Sequence, residues 1–437
     1  MNHNLALPFS PEPSPPRSLR AVFYAPTQLD FLFTKAPVQI ICQPLHRTVS
    51  VNWTLSRNLV TTAFQSGSTT PRQDGSFVIE PDTTQLKPGF YDIKVDINYT
   101  TNHVAQAITT FGWNVDDEEI IQVVPADFDS YWDAALAKIA ATPIDLKVTS
   151  TFTLKGAEID RYNIEQADLP EHYDPDGERY QEVEVSKINF ASPVGGRVYA
   201  WLAKPVGVGP FPGLLVLPGA GNAARPAPVE HARHGYIAID VQVHGNDVDC
   251  EEYTPPGEPE YLTPDTYGHA HVYRNALQAI NALVAFPGVD PSRLAVAGGS
   301  QGGRLSFVTS SLDPRIKAAV PAIPHYCYRP WLRWTEVLNL EGRDGAEGFT
   351  RADVVDDERT RVESYYDVIN FVGRMKGKVF ANAGLVDAVS PPTGAYAAYR
   401  LAAGVKEFTA IPNFAHDWFS SFDRRAWRWL DEVLGLK

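Results

Sequence analysis

Three side chains far apart in the sequence could together make a nucleophile, a base and an orienting acid: Ser300, His416 and Asp387. Ser300 lies in VAGGSQGGRLS, where four glycines fall within six residues. Glycine-rich stretches of this kind serve three different chemistries. A phosphate loop needs G-x-x-x-x-G-K-[ST], but Arg304 and Leu305 replace its lysine and hydroxyl. The dinucleotide pattern G-x-G-x-x-G fails because Ser300 stands at its second glycine. Gly298-Gly299-Ser300-Gln301-Gly302 matches G-x-S-x-G without a mismatch, the corner that presents a serine hydroxyl above a sheet.

A serine hydroxyl attacks a carbonyl only when a base takes its proton and an acid holds that base in the right tautomer. In the architecture that uses this corner, the chain order is Ser, then Asp or Glu, then His. Asp387, in GLVD, follows one expected strand, and His416, in PNFAHD, follows the next. Both therefore fall at carboxyl ends of neighbouring strands, on the face where Ser300 points. The developing oxyanion needs two N–H donors. The Gln301 amide at a helix start is one candidate, and Ala220, in the Gly219-Ala220-Gly221 loop after GLLVLP, is the other. The oxyanion loop must be rigid to act.

The elements that must hold these residues are legible from period and punctuation. From Val183 onward, apolar segments RVYAWLAKP, GLLVLPG, YIAIDVQV, RLAVAGG, IKAAVPAIP, KVFANAG and KEFTAIP alternate with helical ones such as YRNALQAINALVAF and TGAYAAYRLAAG. Near-continuous apolar strands are those of a parallel sheet buried on both faces, so the expected class is α/β, doubly wound, with its site outside the carboxyl ends of the strands. Before it, residues 21–118 show short alternating strands (VQIICQ, VSVNWTL, GSFVIE, FYDIKVDINY) with no helical period. That texture predicts a small all-β, immunoglobulin-like sandwich. Phe128, Trp132, Leu136 and Ile139 form one apolar stripe on a connecting helix. The expected division is a Pro-rich tail over 1–20, a β-sandwich over 21–118 and a hydrolase domain over 119–437.

Composition narrows the partners. A formal net charge of −14 disfavours nucleic acid and anionic membrane, and no apolar run is long enough to span a bilayer. Cys42, Cys250 and Cys327 lie far apart with no C-x-x-C pair, which excludes a disulfide scaffold. The first residues lack a basic segment followed by an apolar one, so the expected location is cytoplasmic, or outside the cytoplasm if a signal has been removed. A serine mechanism calls for no metal and no cofactor.

On these residues the chain resembles the acetyl xylan esterase / cephalosporin C deacetylase family, carbohydrate esterase family seven. The likeness runs from about Pro125 to the end. It is carried by PADFDSYWDAALA, HVYRNALQAINALVAFPGVDPSRLAVAGGSQGG, ESYYDVINFVGRMKGKV, GLVDAVSPPTGAYAAY and the His416 segment. The Gly-Gly-Ser-Gln-Gly-Gly form and the spacing of Asp387 to Pro391 and Pro392 are more specific than G-x-S-x-G. The resemblance implies an α/β-hydrolase in which Ser300 is nucleophile, Asp387 acid and His416 base, with the Gln301 and Ala220 amides as oxyanion donors. It implies removal of acetyl groups from acetylated carbohydrate such as xylan or xylooligosaccharides, and a homo-oligomer. The chain departs from the pattern at Pro218-Gly219-Ala220, at His244-Gly245-Asn246-Asp247 and at His416-Asp417, and the front sandwich is absent from compact members.

Weaker signals remain. Tyr326, Tyr328, Trp331 and Trp334 follow a strand end and could stack on a sugar as pocket residues, though packing of a lid helix is the preferred reading. His244 sits at a strand end on the catalytic face as a candidate pocket residue, and His325 could line the rim. The pairs His231/His234 and His269/His271 are expected to be surface or capping residues, since no third metal ligand is suitably spaced. Alternatives are a prolyl-oligopeptidase-like peptidase, which shares a G-x-S-x-G-G corner, an esterase for a non-carbohydrate small ester, or a front domain that only binds.

Overall fold

A computed structural model describes residues 21–99, 104–166, 179–221, 224–250, 263–417 and 419–436. The tail expected over residues 1–20 lies outside them. Along the front of the chain run β1 (Ala21–Tyr24), β2 (Leu32–Phe33), β3 (Ile40–Pro44), β4 (Thr48–Arg57), β5 (Gln65–Thr69), β6 (Phe77–Ile79), β7 (Gly89–Tyr99) and β8 (Val104–Trp113). They form two small sheets, ordered β1-β3-β6 and β2-β8-β7-β4-β5, antiparallel except for the short β2–β8 pairing. Alternate residues such as Val51, Leu55, Ile93, Val95, Ile97, Ile40 and Phe77 meet in one shared core, as the period of two requires.

The rest of the chain continues with α1 (Phe128–Ala141), β9 (Lys147–Lys155), α2 (Ala157–Gln166), β10 (Glu182–Ala191), β11 (Arg197–Pro205), β12 (Phe211–Leu217), α3 (Val229–Arg233), β13 (Ile237–Gln242) and α4 (Ala270–Ala285). It ends with β14 (Val289–Gly299), α5 (Gln301–Leu312), β15 (Ile316–Ala322), α6 (Arg329–Glu341), α7 (Glu358–Glu363), β16 (Lys378–Gly384), α8 (Pro392–Leu401), β17 (Lys406–Ile411) and α9 (Ser420–Val433). Nine strands make one sheet in the order β17-β16-β15-β14-β12-β13-β11-β10-β9. Pairings from β13 through β12 to β17 are parallel, and those from β13 to β9 are antiparallel.

The apolar strands are continuous in sequence because both faces of this sheet are covered. Leu215, Ile237, Ile239, Val296, Ala319 and Val379 join α4 and α5 in the main core. Their neighbours in sequence, Leu214, Ala238, Ala295, Ala318, Val320 and Phe380, join Phe422, Ala426 and Leu430 of α9 on the other side. Strand alternation thus divides one apolar run between two helix layers. The predicted stripe of α1 packs as expected at Phe128, Trp132 and Ile139, with Ala135 also buried and Leu136 half-buried. Trp132 Nε1 donates to the Tyr365 carbonyl at 3.0 Å.

The sequence reading missed both β9 and β10. Val148 and Phe152 of β9 are exposed and the strand closes the sheet edge, so no burial pattern marks it. The front sheets are joined to the parallel sheet at many points. Leu385 and Tyr396 belong to the front core, and the buried Arg57–Glu118 ion pair lies against Pro88 and Tyr91. Asn413 donates from Nδ2 to the Phe23 carbonyl at 2.8 Å and accepts from Thr109 at 3.2 Å.

Candidate active site

β14 ends at Gly299 and α5 begins at Gln301, leaving Ser300 alone at the corner with φ 57° and ψ −116°. An L-residue enters this region at a cost, so the corner needs support. Its N–H donates to the Ala322 carbonyl at 3.0 Å, and its carbonyl accepts from His325 at 3.0 Å and Arg304 at 3.1 Å. The flanking glycines are required by contact rather than by dihedral angle. A methyl on Gly298 or Gly302 would strike the Leu217 carbonyl oxygen, and one on Gly303 would strike the Ala322 carbonyl. Backbone from β12 and β15 therefore closes on α5 from both sides. Gly302→Ala should destabilise the chain by about 3 kcal/mol through overpacking and lower turnover, read from a urea melt and an esterase assay. Gly373→Ala, whose methyl meets nothing within 4 Å, is the silent control.

The three expected side chains come together in a line. Ser300 Oγ lies 3.0 Å from His416 Nε2, and His416 Nδ1 lies 2.8 Å from Asp387 Oδ2. Asp387 is 1% exposed, and its other oxygen accepts from the Val389 and Ser390 amides, each at 2.8 Å. Those bonds leave Oδ2 alone to face the imidazole. The two loops that carry acid and base cross closely: Val386 N donates to Phe414 O at 3.0 Å, and a methyl on Gly384 would strike the Phe414 and Ala415 carbonyls. His416 itself is 27% exposed, open enough for a substrate to reach Nε2. Such a line can move the hydroxyl proton to His416 while Asp387 stabilises the resulting imidazolium.

Gln301 opens α5, so its amide has no intrahelical acceptor and lies at a helix N-terminus, where the dipole favours negative charge. Ala220 lies on the exposed loop after β12. A cavity of about 950 Å³ lined largely by α3 and α9 also touches Leu217, Gly219, Gly298, Gly299, Phe414 and Asp417, and so borders the loops that carry Ser300 and His416.

The other expected residues divide. His244 is half-buried at the end of β13, and its Nε2 lies 2.8 Å from Gln301 Nε2. Burial, aided by His271 and Arg304, lowers its pKa to about 4. Tyr326 is half-buried between the guanidinium groups of Arg304 and Arg329, 5.0 and 4.1 Å from its ring centroid. The expectation that Tyr328, Trp331 and Trp334 stack on a sugar is corrected: they are 1%, 0% and 3% exposed. Tyr328 donates to the Glu119 carbonyl and accepts from Ile121 N, while Trp334 packs on Phe349. They build α6 into the main core, and their faces meet protein. Of the paired histidines, His234 stands at the C-cap of α3 and His269 at the N-cap of α4, as the capping expectation has it, while half-buried His231 packs beside His234 on Trp427. His325 Nδ1–H donates to the Val389 carbonyl at 2.7 Å.

Missed altogether was a polar cluster behind the corner. Arg304 donates to Gln301 Oε1 at 3.1 Å, lies 3.4 Å from His269 Nδ1, and sits over Tyr273 and Tyr326. Its only sequence signal is the i, i+3 spacing from Gln301, which puts both side chains on one face of α5.

Known proteins can now be set beside this geometry. The acetyl xylan esterase (AXE1) family model matches residues 158–433, well over half of the chain. An acetyl esterase of Xylanibacter ruminicola is 27% identical over 418 residues, spanning 91% of this chain and 86% of its own. That span leaves too few residues outside it to omit the front sheets as a whole. The acetyl xylan esterase of Paenibacillus sp. R4 superposes with a TM-score of 0.55 at 24% identity, covering 72% of this chain and 98% of that one. Acetyl xylan esterase 1 of Thermoanaerobacterium sp. JW/SL YS485 gives 0.55 at 22% identity, with 73% and 97% covered. Each leaves roughly a quarter of this chain uncovered. By the extent of the family match, carried on an α/β-hydrolase sheet, the chain belongs to the acetyl xylan esterase family.

Proposed function

We propose that the protein is a serine carboxylesterase that removes acetyl and other small acyl groups from acetylated carbohydrate, with xylan or xylooligosaccharides as the substrate class. The observation that supports the mechanism is the unbroken line from Ser300 Oγ through His416 to Asp387. In this reading Ser300 attacks the acetyl carbonyl as His416 Nε2 takes its proton. The oxyanion is held by the amides of Gln301 and Ala220. Collapse of the tetrahedral intermediate expels the sugar hydroxyl, which receives the proton from His416. Water then attacks the acetyl-enzyme by the same route, releasing acetate and restoring Ser300. The substrate class is taken from the family and from relatives that are acetyl and acetyl xylan esterases. In the same reading residues 21–118 are a β-sandwich domain that braces the hydrolase domain of residues 119–437.

The test is acetate release from acetylated xylooligosaccharides, run beside p-nitrophenyl acetate, p-nitrophenyl butyrate and proline-containing peptides. Acetate should appear from the sugar esters, and the butyrate ester should turn over more slowly than the acetate. Hydrolysis of simple esters without release from sugars would move the substrate to a non-carbohydrate ester. Peptide cleavage would replace the reading with a peptidase.

A further inference from the structure

The side chain of Gln301 is 1% exposed, and each polar atom of its amide has a partner. Nε2 donates to the Gly219 carbonyl at 3.0 Å and lies 2.8 Å from His244 Nε2, while Oε1 accepts from Arg304 at 3.1 Å. A carbonyl only accepts and a guanidinium only donates, so the nitrogen must face Gly219 and the oxygen Arg304. His244 Nε2 must then be the acceptor, which places the ring proton on Nδ1. Arg304 and His244 thus lock the Gln301 amide from two sides.

What that amide holds is the loop after β12. Gly219 and Ala220 are exposed, and a methyl on Gly219 would meet nothing within 4 Å, so packing does not fix the loop there. Among the described residues, the bond from Gln301 is the one hydrogen bond to the backbone of Gly219, Ala220 and Gly221. The Gly219 carbonyl and the Ala220 N–H belong to one planar trans peptide and point in opposite directions. Fixing the carbonyl therefore fixes the N–H. We propose that the Gln301 side chain, braced by Arg304 and His244, is a positioning residue that sets the Gly219–Ala220 peptide and aims the Ala220 amide at the developing oxyanion. The proposal rests on the reading of Ser300 as nucleophile and of the Gln301 and Ala220 amides as oxyanion donors. One residue would then serve both halves of the oxyanion hole, by its backbone directly and by its side chain through the loop.

An amide aimed at charge that exists only in the transition state affects kcat more than KM. The experiment compares Gln301→Met, which removes the amide, with Gln301→Glu, which keeps an acceptor for Arg304 but turns an acceptor toward Gly219. With p-nitrophenyl acetate, both should lose about 10–10³-fold in kcat with KM changed less than about threefold. A phenylboronic acid supplies the second readout. The Ser300 oxygen adds to its boron to give a tetrahedral anion that needs the oxyanion donors, so its affinity should fall in step with kcat/KM. At His244, the acceptor-retaining His244→Gln should keep about tenfold more activity than His244→Leu. Folded Gln301 variants with wild-type kcat, or with unchanged boronate affinity, would overturn the proposal. If the Gln301 variants do not fold, equal activities of the two His244 variants would overturn it. Ser300→Ala is run alongside. Its inactivity beside a normal Gln301→Met removes the strut alone, whereas its retained turnover removes the nucleophile reading and the strut with it.

Discussion

Ser300→Ala is expected to lower kcat for p-nitrophenyl acetate by about 10⁶-fold while leaving the melting temperature within a few degrees of wild type. The hydroxyl's hydrogen bond is to His416, and the corner is held by backbone bonds to Ala322, His325 and Arg304 that alanine keeps. Turnover of the variant near the wild-type rate would remove Ser300 from the mechanism. Asp387→Asn should cost about 10⁴-fold for a different reason. The Val389 and Ser390 amides demand an acceptor, so the new amide must turn its oxygen to them and its nitrogen to His416. His416 Nδ1 would then have to accept, moving the ring proton to Nε2, where it faces Ser300 Oγ instead of receiving from it. The variant should keep its fold and lose the base.

The second large effect is on stability. Between pH 6.5 and about 4 the protein should lose stability as pH falls, through histidines that packing partly removes from water. Desolvation lowers His231 and His325 to about 3 and His244 to about 4, so the folded chain keeps them neutral where the unfolded chain protonates them. Unfolding then takes up protons, and stability rises with pH across that window. Asp367 acts in the opposite sense. Burial raises it to about 7 against the backbone bonds it accepts from Tyr328, Arg329 and Ile369, so it gives a proton back on unfolding. Three protons gained against one returned make stability fall as pH falls across this window. His269 and His271 add to the trend, and Asp92, Asp240 and Glu118, raised by burial, oppose it. Calorimetry at pH 7, 6 and 5 at constant ionic strength reads the slope. A melting temperature that holds steady or rises toward pH 5 would mean the native histidines are already charged.

Much of the catalytic frame was legible in the sequence because it is local. Strand, turn and helix around Ser300 carry their own spelling, and Asp387 and His416 follow strands whose apolar runs are unmistakable. By the same logic Ala220 was expected just after β12, and it lies on the exposed loop there. What escaped is long-range. An aromatic residue after a strand end looks the same whether its ring faces a ligand or a core, so Trp331 and Trp334 could not be sorted before their burial was known. The polar sheath behind Ser300 needs α4, α5 and the end of β13 to meet, and residues 244, 269 and 301 share no pattern that announces it. β9 was missed for the opposite reason: its side chains are exposed, and an edge strand without a buried face leaves no period to read.

The bond between Asn413 and the Phe23 carbonyl has a consequence beyond packing. Asn413 lies three residues before His416, in a left-handed conformation with φ 61°, and Thr109 grips it from a second front strand. The loop that carries His416 is therefore tied at one end to the front sheets and leads at the other into α9. During synthesis the front sheets emerge hundreds of residues before the histidine they will hold. In the proposed reading the active site therefore closes late in synthesis, once the segment carrying His416 reaches front sheets made hundreds of residues earlier.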